Sequence, residues 1–257
     1  MPARDWIMGA KSRLHRVLGL PPLYPSFDDA QVSVDRAFAE SEQGTLTDVF
    51  FSQKGRRVHK WVHYLGIYER YLKGYRGTDF KMLEIGVNKG GSLDLWRDYF
   101  GPTATIFGID IDPACADNVT APNQVRIGSQ DDPVFLKRVI AELGAPDIIL
   151  DDGSHIGRHQ RASFDILFPL LKDNGLYIIE DMHSAYWHGL YEGGFRRRGT
   201  AIEHVKDMID DMHAWYHNHG TVSPARDQIG AIHVHDSITI IEKVAAKARP
   251  TRVMVPS

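Results

Sequence analysis

The chain has 257 residues, 43% of them hydrophobic, with 30 Lys and Arg against 33 Asp and Glu for a net charge of −3. That supports a large packed core and excludes a bulk nucleic-acid binder. The single cysteine, Cys115, excludes an internal disulfide and a cysteine-based zinc site. No apolar run approaches the roughly 20 residues needed to cross a bilayer, and the N-terminus lacks a signal-peptide pattern, so a cytoplasmic protein is expected.

Residues 4–19, RDWIMGAKSRLHRVLG, predict a short basic helix with Ile7, Ala10, Leu14, Val17 and Leu18 on one face and Gly19 and Pro21 as its stop. With one Trp it forms a weak membrane anchor, which leaves an arm that docks on its own domain or on a partner subunit. LPPLYPS at 20–26 reads as a linker, closing a first segment at 1–25. Residues 45–73 are rich in aromatics and histidines, and Trp61, Leu65, Tyr68 and Leu72 recur at helical spacing. That stripe reads as core packing, and 26–80 as a whole as a helical, aromatic cover for a substrate. Aromatic segments outside the main domain also predict a homo-oligomer.

From residue 81 to 257 the pattern becomes regular. KMLEIG, TATIFGIDI, QVRIGS, DIILDD and LYIIED predict five strands. Helices are expected between them, one opened by Asp132 and Pro133, and another over 158–175 stopped by Asn174-Gly175. A helix over 201–218 and two strands meeting at His235-Asp236-Ser237 complete the order. Alternating strands and helices imply right-handed crossovers and a parallel sheet covered on both faces.

In such a sheet, ligands bind beyond the C-terminal strand ends. Here these ends read EIGVNKGG, GIDID, GSQDD, ILDDGSH and IIEDMH, all polar or acidic. The first loop is only loosely a dinucleotide fingerprint, because Asn88 stands where the middle glycine would approach a pyrophosphate. This argues against a nicotinamide oxidoreductase and suits a nucleoside cofactor without phosphate. Asp110, ending the second strand, fits a carboxylate accepting from ribose hydroxyls.

The order E-x-G-x-x-x-G, G-I-D-I-D, G-S-Q-D resembles the cofactor half of the class I S-adenosylmethionine-dependent methyltransferases, over Met82–Asp181. The resemblance implies a Rossmann-like sheet with a C-terminal antiparallel strand. It implies that Glu84, Gly86 and Gly90 hold the methionine moiety, Asp110 the ribose, and Ser129 and Gln130 the adenine. Asn88 and Asp151 complete the expected cofactor contacts.

Asp152 and the pair Glu180-Asp181 end neighbouring strands, and uncompensated carboxylates so placed repel. A hard divalent cation would resolve this, Mg²⁺ first with Mn²⁺ as another fit. The alternative is that these acids cap helices or pair with Arg158 and Arg161. Beside a metal, His155 is the expected general base, with His183 as a second candidate. DDGSH, IEDMHSAYW and HDSITIIEK resemble the metal-dependent sugar O-methyltransferases of macrolide biosynthesis, the mycinamicin type. That likeness implies Mg²⁺ on Asp152, Glu180 and Asp181, His155 as base, and a small-molecule glycoside as acceptor. A catechol-like diol or a β-lactam acceptor, and a non-catalytic scaffold, are the competing readings. Arg196, Arg197 and Arg198 are either an anion contact or a solvated loop. His213 with His217, and His233 with His235, read as polar surface.

Overall fold

A computed structural model describes residues 33–189, 191–218, 223 and 225–255, so the helix expected at 4–19 and the linker at 20–26 lie outside the described residues. In chain order the described part holds α1 (Val34–Glu40), α2 (Thr45–Ser52), α3 (Val62–Leu72), β1 (Lys81–Ile85), α4 (Gly91–Phe100), β2 (Thr105–Asp110) and β3 (Gln124–Ile127). There follow α5 (Pro133–Leu143), β4 (Ile148–Asp151), α6 (Gly157–Leu167), β5 (Leu176–Ile179), α7 (Ala201–Met212), β6 (Ile229–His235) and β7 (Ile238–Lys243). Among the described residues no helix is long and apolar enough to cross a membrane.

The strands form one sheet in the order β3-β2-β1-β4-β5-β7-β6. The first five are mutually parallel, whereas β7 runs antiparallel to both β5 and β6. The chain moves outward from β1 through β2 to β3, then returns to place β4 on the other side of β1. The switch point is therefore the β1–β4 pair, where Ile85 aligns with Asp151. Asp151 in turn aligns with Ile179, so Gly86, Asp152 and Glu180 follow their strands at the same level.

Period-two alternation sends the strand residues into two cores. Leu83, Ile85, Phe107, Ile149, Tyr177 and Ile179 pack with residues of α5, α6 and α7. Met82, Ile106, Ile148, Leu150 and Ile178 pack with Leu93, Trp96 and Phe100 of α4, but also with Leu46, Tyr64, Leu65, Tyr68 and Leu72. Fully burying one such side chain contributes roughly 1.5–3 kcal/mol. The helices before residue 81 are thus part of this face of the core.

Helix boundaries follow local chemistry. Asp132 caps α5, its Oδ1 accepting from the N–H of Val134 at 2.9 Å and of Phe135 at 3.2 Å. α6 ends at Leu167, earlier than the expected 175, because Pro169 supplies no N–H and the chain tightens into a 3₁₀ turn at Phe168–Leu170. α7 stops at Met212 instead of 218. There the His213 ring Nδ1 lies 2.8 Å from the Ile209 carbonyl, taking the place of the next backbone donor, and His217 Nε2 lies 3.0 Å from the Asp210 carbonyl. His233 pairs with Glu242 at 2.7 Å.

Candidate active site

Two cavities open at the C-terminal ends of the parallel strands. The larger, about 310 Å³, is lined by residues 57–61 and Tyr64, the glycine loop, Asp152, His155, Glu180 and Asp181. The smaller, about 190 Å³, lies between Ile85, Ile109, Ile111, Ser129, Gln130 and His159. Gly86, Asp110 and Gly153 line both, so the two meet there.

Gly86 is required at this junction. Its φ is +93°, and a Cβ would stand 2.2 Å from the Asp152 carbonyl oxygen. Gly91, opening α4, meets the segment before α3 in the same way, a Cβ there lying 2.2 Å from the Arg57 carbonyl oxygen. Gly90 caps α4 with φ +80°. Glu84 is fully buried beneath the loop and accepts from the Ser92 hydroxyl. Burial lifts its carboxyl to about 7, opposed by the Lys60 charge and the Ser92 bond.

Asp110 accepts backbone N–H bonds from Val87 and Asn88 on Oδ2 and from Asp112 on Oδ1, each at 2.9 Å. Against the cost of burial, these bonds hold its carboxyl below the usual range. Asp110 therefore shapes the glycine loop while keeping lone pairs for a further donor. Ser129 lines the smaller cavity, as does Gln130, but Gln130's amide is spent internally: Oε1 accepts from the Ser154 N–H at 2.8 Å and Nε2 donates to Asp151 at 3.1 Å. Asp151, expected among the cofactor contacts, lines neither cavity. It is fully buried and accepts from Ser163 Oγ at 2.6 Å and from Gln130. Its role is to hold β4 and the Gly153-Ser154 turn from beneath.

The acid cluster is organised by a residue outside the sequence expectations. Lys60, its side chain 2% exposed, places Nζ 2.7 Å from Asp152 Oδ2 and 2.7 and 2.8 Å from the two oxygens of Glu180. Burial opposes the ammonium charge, but the carboxylates of Asp152, Glu180 and Glu84 hold it well above the usual lysine value. Glu180, also engaged by the Tyr68 hydroxyl, is pushed upward by burial and by the Asp152 charge. Asp152, despite burial, is held low by Lys60 and then His155. Tyr64 OH lies 3.0 Å from Asp181 Oδ1 and 2.8 Å from Ser237 Oγ, tying the β6–β7 turn to the site.

His155 Nε2 stands 3.7 Å from Asp181 Oδ2 and 4.0 Å from Asp152 Oδ1. Asp152, His155 and Asp181 each offer a ligand atom within 4.8 Å of the others, a donor set of two carboxylates and one imidazole that fits a divalent cation. Glu180 stands apart, turned to Lys60 and Tyr68. Asn88, His155 and Asp181 all have left-handed backbones, with φ of 49°, 55° and 54°. Such conformations cost about 1–3 kcal/mol and cluster at working sites. His183 pairs with Ser237 Oγ and sits between Trp61, at 5.3 Å, and Trp187, at 4.6 Å; burial lowers its pKa. The arginines expected as alternative partners of the acids lie elsewhere: Arg158 pairs with Glu192, and Arg161 with Asp165 and Asp207. Arg196, Arg197 and Arg198 stand exposed on the loop before α7.

Sequence reasoning missed Lys60, Tyr64, Tyr68 and Ser237. A signal existed in HKWVHYLGIYERY, where Lys60, Tyr64 and Tyr68 recur every four residues and carry polar tips.

The reversal at β1–β4, the glycine loop and the acid closing β2 define a class I, Rossmann-like methyltransferase fold. No family model matches the chain. It is 42% identical over 171 residues to L-olivosyl-oleandolide 3-O-methyltransferase of Streptomyces antibioticus, covering 60% of this chain and 43% of that protein. It is 35% identical over 220 residues to 8-demethyl-8-(2-methoxy-alpha-L-rhamnosyl)-tetracenomycin-C 3'-O-methyltransferase of Streptomyces olivaceus, covering 80% and 55%. Among solved structures it is similar to the MycE methyltransferase in complex with Mg, SAH and mycinamycin VI, with a TM-score of 0.69, 31% identity, and coverage of 82% of this chain and 55% of that one. The chain spans about half the length of these relatives. It is a homologue of the sugar O-methyltransferases of macrolide and tetracenomycin pathways.

Proposed function

We propose that this chain transfers a methyl group from S-adenosylmethionine to a sugar hydroxyl of a glycoside, with a divalent cation, Mg²⁺ first, at the acid cluster. The observation that carries the reading is the continuity of the two cavities through Gly86, Asp110 and Gly153, with His155 lining the larger one. The apolar walls of Ile85, Ile109 and Ile111 suit an adenine, with Ser129 at its edge. Asp110, an ionised acceptor at the junction, suits ribose hydroxyls. The methionine moiety then lies along the glycine loop toward His155.

Asp152 and Asp181 would hold the cation, joined by Glu180 once it is released from Lys60, with His155 Nε2 beside them as the base. When bound, such an ion makes a hydroxyl it holds easier to deprotonate. His155 takes the hydroxyl proton at Nε2. The oxygen forms its bond to the methyl carbon as the carbon–sulfur bond breaks, leaving a neutral thioether in S-adenosylhomocysteine. Rate comes from alignment and charge stabilisation. The half-buried rings of Trp187 and Tyr191, 5.7 Å apart, continue from His155, whose ring lies 6.0 Å from Tyr191. Aromatic faces of this kind suit the C–H face of a pyranose.

His155→Ala tests the assignment. Turnover on a rhamnoside acceptor is expected to fall about 10²–10⁴-fold, the usual worth of a general base, with S-adenosylhomocysteine binding by calorimetry retained. Loss of cofactor binding, or turnover within a few-fold of the parent, would overturn it.

A further inference from the structure

Three carboxylates meet at the ends of β4 and β5, and the sequence assigns them to a cation. The structure shows a cation already there, the ammonium of Lys60. Its three short contacts, 2.7 Å to Asp152 Oδ2 and 2.7 and 2.8 Å to Glu180, account for all three N–H donors. Lys60 is 92 residues from Asp152 and 120 from Glu180 in sequence, so the chain has folded back to bring it in. A buried ammonium is tolerated only where carboxylates compensate it. The carboxylates are likewise tolerated together because it is present. Lysine is a compact point charge on a flexible stem, able to stand in for an ion and to withdraw.

We propose that Lys60 is a determinant of cation affinity in this site: its ammonium holds Asp152 and Glu180 when no metal is bound and must be displaced from them by an entering divalent cation. The inference rests on the metal-dependent reading above. Lys60 is a positioning residue, and it keeps the acidic ends of β4 and β5 aligned without metal. It also ties metal loading to the segment at 53–61, which rests on the cofactor loop through the Arg57 carbonyl at Gly91 and the Arg56–Asp94 pair at 3.1 Å.

The test is calorimetric titration of Mg²⁺, and of Mn²⁺, into the full chain and its Lys60→Met and Lys60→Arg variants. Lys60→Met is expected to bind either ion at least tenfold more tightly than the parent. Its metal-free melting temperature should fall, and saturating Mg²⁺ should recover it. Lys60→Arg keeps the charge and should bind no more tightly than the parent. Equal or weaker binding by Lys60→Met overturns the inference while leaving the metal reading in place. If neither parent nor Lys60→Met binds a divalent ion, the metal reading itself fails, and the inference with it. Because Lys60→Met could fold poorly, hydrogen–deuterium exchange on the unmodified protein provides an independent check. Mg²⁺ should accelerate exchange in residues 58–61 as Lys60 is released, and unchanged or slowed exchange there would contradict the proposal.

Discussion

Replacing Gly86 by Ala should damage both stability and the site. At φ +93° a side chain costs about 1–2 kcal/mol in backbone strain. The new Cβ would stand 2.2 Å from the Asp152 carbonyl oxygen, where an ordinary contact is 3.4 Å or more, and that neighbour is backbone tied to β1 by the Asp152 N–H bond to the Ile85 carbonyl at 2.9 Å. Relieving such overpacking adds about 1–3 kcal/mol. The combined loss of about 2–5 kcal/mol corresponds to a fall in melting temperature of about 5–15 °C for a chain of this size. The displaced segment carries Asp152, and a shift of about 1 Å in such a group costs about 10²-fold in rate. Thermal melts, S-adenosylhomocysteine titration and turnover measured together check this. A variant melting within 2 °C of the parent with undiminished turnover would refute the view that β1 and β4 position the site by close backbone contact.

Two further outcomes are expected. His204, buried against Phe164, is pushed down to about 3 by burial and then by the Arg161 charge, so it stays neutral in the fold while the unfolded chain takes up a proton below about 6.5. Stability should therefore fall as pH drops from 6.5 toward 3, by about 2 kcal/mol at pH 5. In denaturant titrations at pH 7 and pH 5, His204→Gln should lack that component; equal acid sensitivity in both proteins would refute the assignment. Ser163→Ala removes the 2.6 Å bond to the buried Asp151 and should lower stability by about 1–3 kcal/mol in denaturant titration, with S-adenosylhomocysteine affinity close to the parent's. A large loss of affinity instead would mean that Asp151 acts on the cofactor directly.

The parallel strands were legible because each is a short apolar run ended by an acid or glycine, and Asp132-Pro133 marked the start of α5 as expected. The ends of α6 and α7 were not, because Pro169 and the ring of His213 act on carbonyls that an apolar period cannot show. In the candidate site, local patterns pointed to Asp110, Asp152, His155 and Asp181, which the strand ends bring together around the cavities. Gln130 and Asp151 carried the same polar signature, yet they satisfy one another below the surface. Lys60 shares a four-residue spacing with Tyr64 and Tyr68, but that spacing alone does not assign it, since its partners are remote and its segment reads as aromatic core. Tyr68 illustrates the limit: its ring packs on Trp96 as the stripe suggested, while its hydroxyl serves Glu180.

The most direct measurement is ¹³C NMR of the protein with S-[methyl-¹³C]adenosylmethionine, Mg²⁺ and methyl α-L-rhamnoside, with a parallel sample containing EDTA. A new sugar methoxy signal that grows with Mg²⁺ and is absent with EDTA is the predicted result. Labelled cofactor that binds yet gives no methoxy signal on this or other glycosides would contradict sugar O-methylation by this chain, and equal signal with EDTA would contradict the role of the metal.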